Sequence, residues 1–193
     1  MISEKLLENR IIFLNGEIND ESANEVITKL LYLDSINHNE ISLYINSPGG
    51  SVIQGLAIID SMHIIKSKVA TYCVGEAYSM ASIILSSGYK GKRYILENSE
   101  VMIHAPSGYM KGKSDEIALT SKRLANIKNK LIDILANNSN KNNKQIAKYF
   151  SYDKFMNSNE ALEFGIVDKI IKSSWFKNKC MLKYIAKKRS VLC

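Results

Sequence analysis

ISLYINSPGGSV, residues 41–52, sets the reading of this chain. Ile41, Leu43 and Ile45 alternate with Ser42, Tyr44 and Asn46, the period of a strand with one buried face. Ser47-Pro48-Gly49-Gly50 ends that strand with turn chemistry. Val52, Leu56 and Ile59 follow at spacings of four and three, which predicts a helix. The same order recurs on both sides. Upstream, Ile11–Leu14 is a short apolar run that reads as a buried strand. Asn19-Asp20-Glu21 then offers a cap and an acidic first turn for a helix carrying Ala23, Val26, Ile27, Leu30 and Leu31. Downstream, Val69–Val74 reads as a strand stopped by Gly75, and Ser79–Ser87 as a tightly buried helix.

The pattern continues towards the C-terminus. Lys92–Leu96 and Val101–His104 read as short strands, and Ala105–Lys113 as a loop or irregular arm. Ser114 opens a long helix with Asp115 and Glu116 in its first turn and an apolar stripe of Ile117, Leu124, Ile127, Leu131 and Ile134. Asn137–Asn143 is a polar turn, and Gln145–Phe150 a short helix. Asn157-Ser158-Asn159-Glu160 resembles a capping box for Ala161–Phe164, with Gly165 as the stop. Ile166–Ile171 is a last strand. Strand and helix alternate throughout, which predicts an α/β domain with mostly parallel pairing.

The chain has 193 residues, 46% apolar and 23% charged, which suits one globular domain with a real core. Its net charge of +7 is unevenly placed. Eight of the 26 basic residues lie from Lys169 to Cys193, where there are no acids. The other 18 face all 19 acids, so residues 1–168 carry a net −1. The sequence therefore predicts a near-neutral body without affinity for nucleic acid, and a basic tail. Cys73, Cys180 and Cys193 are too few for a disulfide framework. No CxxC, HExxH, GxxxxGK[ST] or GxGxxG occurs, so no metal, cofactor or nucleotide site is expected. The most apolar region, Val69–Leu85, holds Glu76 and is too short and polar to span a membrane.

Three segments carry candidate chemistry. Ile45–Ser51 runs a strand into glycines, which let backbone N–H groups approach a ligand; taken alone it is also an ordinary strand-to-helix turn. Gly75–Ser82 places serines at the start of a helix, and spacing does not choose between Ser79 and Ser82. It is not a GxSxG elbow, because Ala77 and Ala81 stand at the flanking positions. Val101–Pro106 closes an apolar strand with His104. Nucleophilic hydrolysis needs a hydroxyl, a neutral imidazole, an orienting carboxylate and backbone donors for the oxyanion. Ser79, His104 and the Gly49-Gly50 turn supply part of that set; Asp115, Asp133, Asp153 and Asp168 all remain open as the carboxylate.

Read in order, ENRIIFLNGEI, LYINSPGGSV, GLAIIDSM, the Ser79-Met80 helix start, GYKGKRYILENSEVMIH and DKFMNSNEALEFGIVDKI resemble the proteolytic subunits of the Clp protease family over residues 2–171. The resemblance implies a crotonase-like α/β fold, a layered β-β-α spiral with a projecting helix/strand arm. It implies a protease domain over residues 1–171, followed by the basic tail 172–193. It places the nucleophile on Ser79, the general base on His104, the orienting carboxylate on Asp153 and the oxyanion donors on the N–H groups of Gly50 and Met80. It implies an ATP-dependent serine endopeptidase subunit that cleaves unfolded polypeptides inside two stacked seven-membered rings, a tetradecamer. An AAA+ Clp ATPase partner consumes the ATP, so the chain itself needs no cofactor or metal. The expected setting is the bacterial cytoplasm, with a mitochondrion or plastid as the alternative, away from membrane and nucleic acid.

Four positions depart from the family pattern. The match begins at Ile2, without the family's usual N-terminal pore segment. Ala105 and Gly108-Tyr109 replace the usual Gln and glycine pair after the histidine. Ser151-Tyr152 replaces an acidic-Arg pair associated with ring-to-ring contact. Glu76 and Tyr78 stand where residues beside the nucleophile are usually small or neutral. These departures fit a second reading, a weakly active or non-proteolytic subunit that works only in a mixed ring with a paralogue. Acyl-CoA chemistry on the same fold is a third, and it has no need for Ser79, His104 and Asp153 together.

Overall fold

Aromatic residues recur at one register position across four strands, and they show how the sheet is laid down. In a computed structural model describing residues 2–108 and 111–172, β1 (Ile11–Asn15), β2 (Ile41–Ser47), β3 (Val69–Tyr78) and β4 (Arg93–Leu96) run parallel and in that order. Phe13 pairs with Tyr44, Tyr44 with Tyr72, and Tyr72 with Tyr94. Their ring centroids lie 5.5, 4.6 and 4.7 Å apart. Cross-strand ring contacts of this kind pin the register, because a one-residue slip would send the rings to the other face. That other face carries Ile12, Leu14, Ile41, Leu43, Ile45, Cys73 and Ile95, all buried in one continuous core.

Helices α2 (Asp20–Ile36), α3 (Val52–Ile64) and α4 (Met80–Ser86) follow the first three strands. The Asn19 side chain accepts from the Ser22 N–H and the Ser22 hydroxyl accepts in return from the Asn19 N–H, closing the start of α2 as its sequence predicts. Every residue of α4 is buried. A short helix, α1 (Ile2–Glu8), precedes β1 and was not expected from its sequence. The arm after His104 is irregular over 105–108 and 111–113, and leads into α5 (Ser114–Asn138). The N-terminal turns of α5 stand clear of the body: Leu119 is 71% exposed, and Ile117 of the expected stripe is exposed as well. Only Leu131, Ile132 and Leu135 of this helix are buried.

β3 is the branch point of the fold. Thr71–Cys73 pair with β4, and Glu76–Tyr78 pair with β5 (Glu100–Ile103). Between them the register against β2 jumps from Ile45–Cys73 to Ser47–Ala77. Gly75, at φ +86°, therefore does not stop the strand, as its local pattern suggests. It bulges the strand outward and re-aims it. The Asn46 carboxamide fills the bulge and accepts from the Glu76 N–H at 3.3 Å. The first branch continues through β4 to β7 (Lys169–Ile171), which is three residues long rather than the six read from Ile166–Ile171. Ile166 and Val167 are instead buried in the connection before it. The second branch continues to β6 (Lys154–Asn157), antiparallel to β5 and absent from the sequence reading. Helices α6 (Asn143–Tyr149) and α7 (Ser158–Phe164) flank β6 in the chain, and α7 begins and ends on the expected Asn157–Glu160 capping box and Gly165.

Two buried arginines tie loops to this frame. Arg93 makes a two-pronged pair with Asp168 at 2.9 and 2.7 Å, and Asp168 also accepts from the Gly91 N–H at 2.7 Å. Arg93 donates further to the carbonyls of Ser86 and Asn138, so β4, α4, α5 and the connection before β7 share one guanidinium. Arg10 donates to the carbonyls of Leu33, Asn37, Asn39 and Glu40, closing the C-terminal end of α2. Among the described residues no helix is long and apolar enough to cross a membrane. The basic tail read from sequence lies, from residue 173 onward, outside the described residues.

Candidate active site

Ser79 sits between the last residue of β3 and the first of α4, with φ 52° and ψ −122°. A non-glycine residue held there stores on the order of 1–3 kcal/mol of strain, so its surroundings must impose the conformation. They do so through the backbone. The Ser79 N–H donates to the Met102 carbonyl at 2.9 Å, and its own carbonyl accepts from the Ser82 N–H at 3.1 Å and hydroxyl at 2.6 Å. This separates the two serines that spacing left equal. Ser82 is fully buried and serves the turn, while the Ser79 hydroxyl points outward to His104.

The Ser79 Oγ lies 2.8 Å from His104 Nε2, and His104 Nδ1 lies 3.2 Å from Asp153 Oδ1. With its proton on Nδ1, the ring donates to Asp153 and leaves Nε2 free to accept from the serine hydroxyl. The histidine side chain is 29% exposed and the aspartate 62%, so the relay lies at the surface. The other candidate carboxylates are elsewhere. Asp168 is committed to Arg93, Asp133 accepts from Asn143, and Asp115 lies in the exposed first turn of α5.

The Gly49-Gly50 turn comes up against the serine from the other side. A Cβ on Gly49 would lie 2.7 Å from Ser79 Cβ and from the Tyr78 carbonyl, and 3.1 Å from Met80 N. A Cβ on Gly50 would lie 2.4 Å from the Ile18 carbonyl oxygen. Only glycine allows this approach. The turn is anchored by the Ile18 N–H donating to the Gly49 carbonyl and the Ser51 N–H donating to the Ile18 carbonyl, both at 2.8 Å. The Gly50 N–H, lying between these bonds, has no acceptor among the described residues. The Met80 N–H opens α4 and has no intrahelical acceptor either. Both N–H groups thus belong to the two segments that meet at Ser79.

A small cleft adjoins the pair, lined by Val52, Met80, Ser82, Ile83, Ile103, Pro106 and Leu131. No cluster of metal-ligating side chains occurs among the described residues. The remaining described thiol, Cys73, is buried in the core, which pushes it up to about 12 and keeps it protonated.

Sequence reasoning flagged Tyr78 as bulky but gave it no partner. Its hydroxyl donates to Glu100 Oε1 at 2.6 Å, and its ring meets Phe155 edge-on at 5.7 Å. The Glu100 bond, followed by burial, raises the phenol to about 12. Tyr78 does not line the cleft.

The family model described as Clp protease matches residues 1–174. The chain is 43% identical over 171 residues to the ATP-dependent Clp protease proteolytic subunit of Carsonella ruddii (strain PV), which covers 89% of this chain and 88% of that protein.

Proposed function

The chain belongs to the Clp protease family, and from that premise we propose that Ser79, His104 and Asp153 are the catalytic triad of an ATP-dependent serine endopeptidase subunit. The observation that carries this reading is the unbroken relay of 2.8 and 3.2 Å from hydroxyl to imidazole to carboxylate. Ser79 Oγ attacks the peptide carbonyl carbon while His104 Nε2 takes its proton. Asp153 holds the ring and stabilises the imidazolium. The N–H groups of Gly50 and Met80 receive the oxyanion. The C–N bond breaks as His104 returns the proton to the departing amine, leaving an ester on Ser79. Water, deprotonated by the same imidazole, then hydrolyses the ester and restores the serine.

Ring assembly and a Clp ATPase partner belong to the same proposal, supported by the name of the relative and its match over most of both chains. In that arrangement the ATPase, not this subunit, uses ATP, and unfolded polypeptide is the substrate. The bacterial source of the relative supports a cytoplasmic setting.

A fluorophosphonate probe tests the centre directly. The assembled protein should be labelled at Ser79, and Ser79→Ala should abolish labelling. Absence of the adduct, with an active relative labelled in parallel, would overturn the reading.

A further inference from the structure

All three groups of the relay lie just beyond the end of a strand. Ser79 follows β3, His104 follows β5, and Asp153 precedes β6. Their geometry therefore depends on how the ends of three short strands are held together. At the outer edge β6 is four residues long and, among the described residues, pairs only with β5. Register places Tyr78 beside Met102, and Met102 beside Phe155, in one row across the three strands.

We infer that Tyr78, Glu100 and Phe155 form a side-chain clamp that positions the catalytic relay. The Tyr78 hydroxyl fixes β3 to β5 through the carboxylate of Glu100, at a length typical of a charge-assisted bond. The Tyr78 ring fixes β3 to β6 through its edge-on contact with Phe155, reaching over β5. One residue thus joins the nucleophile's strand to the strands that deliver the base and its orienting carboxylate. Tyr78 reaches the relay through its contacts with Glu100 and Phe155 on the neighbouring strands. Its high phenol pKa keeps the donor protonated across any working pH. The 3.2 Å His104–Asp153 contact, to an aspartate mostly in water, is the link with most to lose if β6 shifts. The inference rests on the triad reading above.

The test compares Tyr78→Phe, Glu100→Ala, Glu100→Gln and the double variant Tyr78→Phe/Glu100→Ala in the assembled protein. Two readouts are taken: the kinetics of peptide hydrolysis, and amide hydrogen exchange of Lys154–Asn157. Tyr78→Phe and Glu100→Ala should each lower kcat about five- to tenfold with KM within about twofold. The double variant should be no worse than either single, since both break one bond. Glu100→Gln keeps an acceptor and should stay within about twofold of the parent. Exchange across β6 should accelerate in the first two and not in Glu100→Gln. Unchanged kcat together with unchanged exchange in Tyr78→Phe, or effects that multiply in the double variant, would overturn the clamp. If the parent shows no Ser79 chemistry but exchange follows the expected pattern, the triad reading falls and the clamp stands.

Discussion

Ser79 combines a strained backbone with a hydroxyl that leaves its own helix to meet a histidine. That combination means its carbonyl and N–H are used for holding the turn, and only the side chain is free for chemistry. Asp153 is the opposite case, an exposed carboxylate with one partner in the relay. Asp153→Asn should lower kcat by about 10²–10⁴-fold while leaving the melting temperature within a degree or two, because little packing is lost. Peptide hydrolysis alongside differential scanning fluorimetry checks both halves. Residue chemistry alone could not reach this assignment. Ser79 and Ser82 are equivalent by spacing, and four aspartates follow His104; the choice depends on a bulge at Gly75 and a strand at 154–157 that bring distant residues together. The family resemblance selected the three, and the structure sets them in a chain with contacts of 2.8 and 3.2 Å. The Tyr78–Glu100 bond had no local signature at all, since its residues lie 22 positions apart and meet only through strand register.

Among the elements, the strand–turn–helix units were legible because apolar periodicity and turn residues agree at each of them. β6 was not, since Phe155 and Met156 are its only apolar residues and its pairing is entirely non-local. Gly75 misled for a related reason: turn chemistry does not reveal that Asn46 of the neighbouring strand fills a bulge. The connections between elements rest on buried polar groups. Arg93→Ala should destabilise the fold by about 3–5 kcal/mol, because it takes the cationic partner from half-buried Asp168 and the donor from the Ser86 and Asn138 carbonyls; denaturant unfolding measures it. Asp34 gives a pH-dependent link. Burial raises its carboxyl, but the Ser67 hydroxyl and N–H, His38 and the Lys66 N–H outweigh that and hold it at about 2. A carboxylate depressed in the folded state stabilises above its ordinary range and loses that contribution as pH falls through the folded value. Melting temperature should therefore fall between about pH 5 and pH 2, and Asp34→Asn should flatten part of that slope.

For the whole molecule, charge is the property most easily misread. Residues 173–193 contain six of the basic residues, and without them 20 basic groups face 19 acids. Removing that segment should sharply reduce retention on a cation exchanger while leaving Ser79 labelling unchanged. Loss of labelling would give the segment a part in assembly or alignment. The body's own behaviour follows from the branch at Gly75. One limb, through β4 and β7, is locked by Arg93. The other, through β5 and β6, hangs on the last three residues of β3. His104 and Asp153 both ride on that second limb, while Ser79 follows the β3 residues from which it hangs and is anchored as well by the buried α4. Heat should loosen the weaker limb first, so inactivation should come below the calorimetric melting point and reverse on cooling. The molecule would then possess a thermal off-state in which the nucleophile is intact and its partners have simply drifted away.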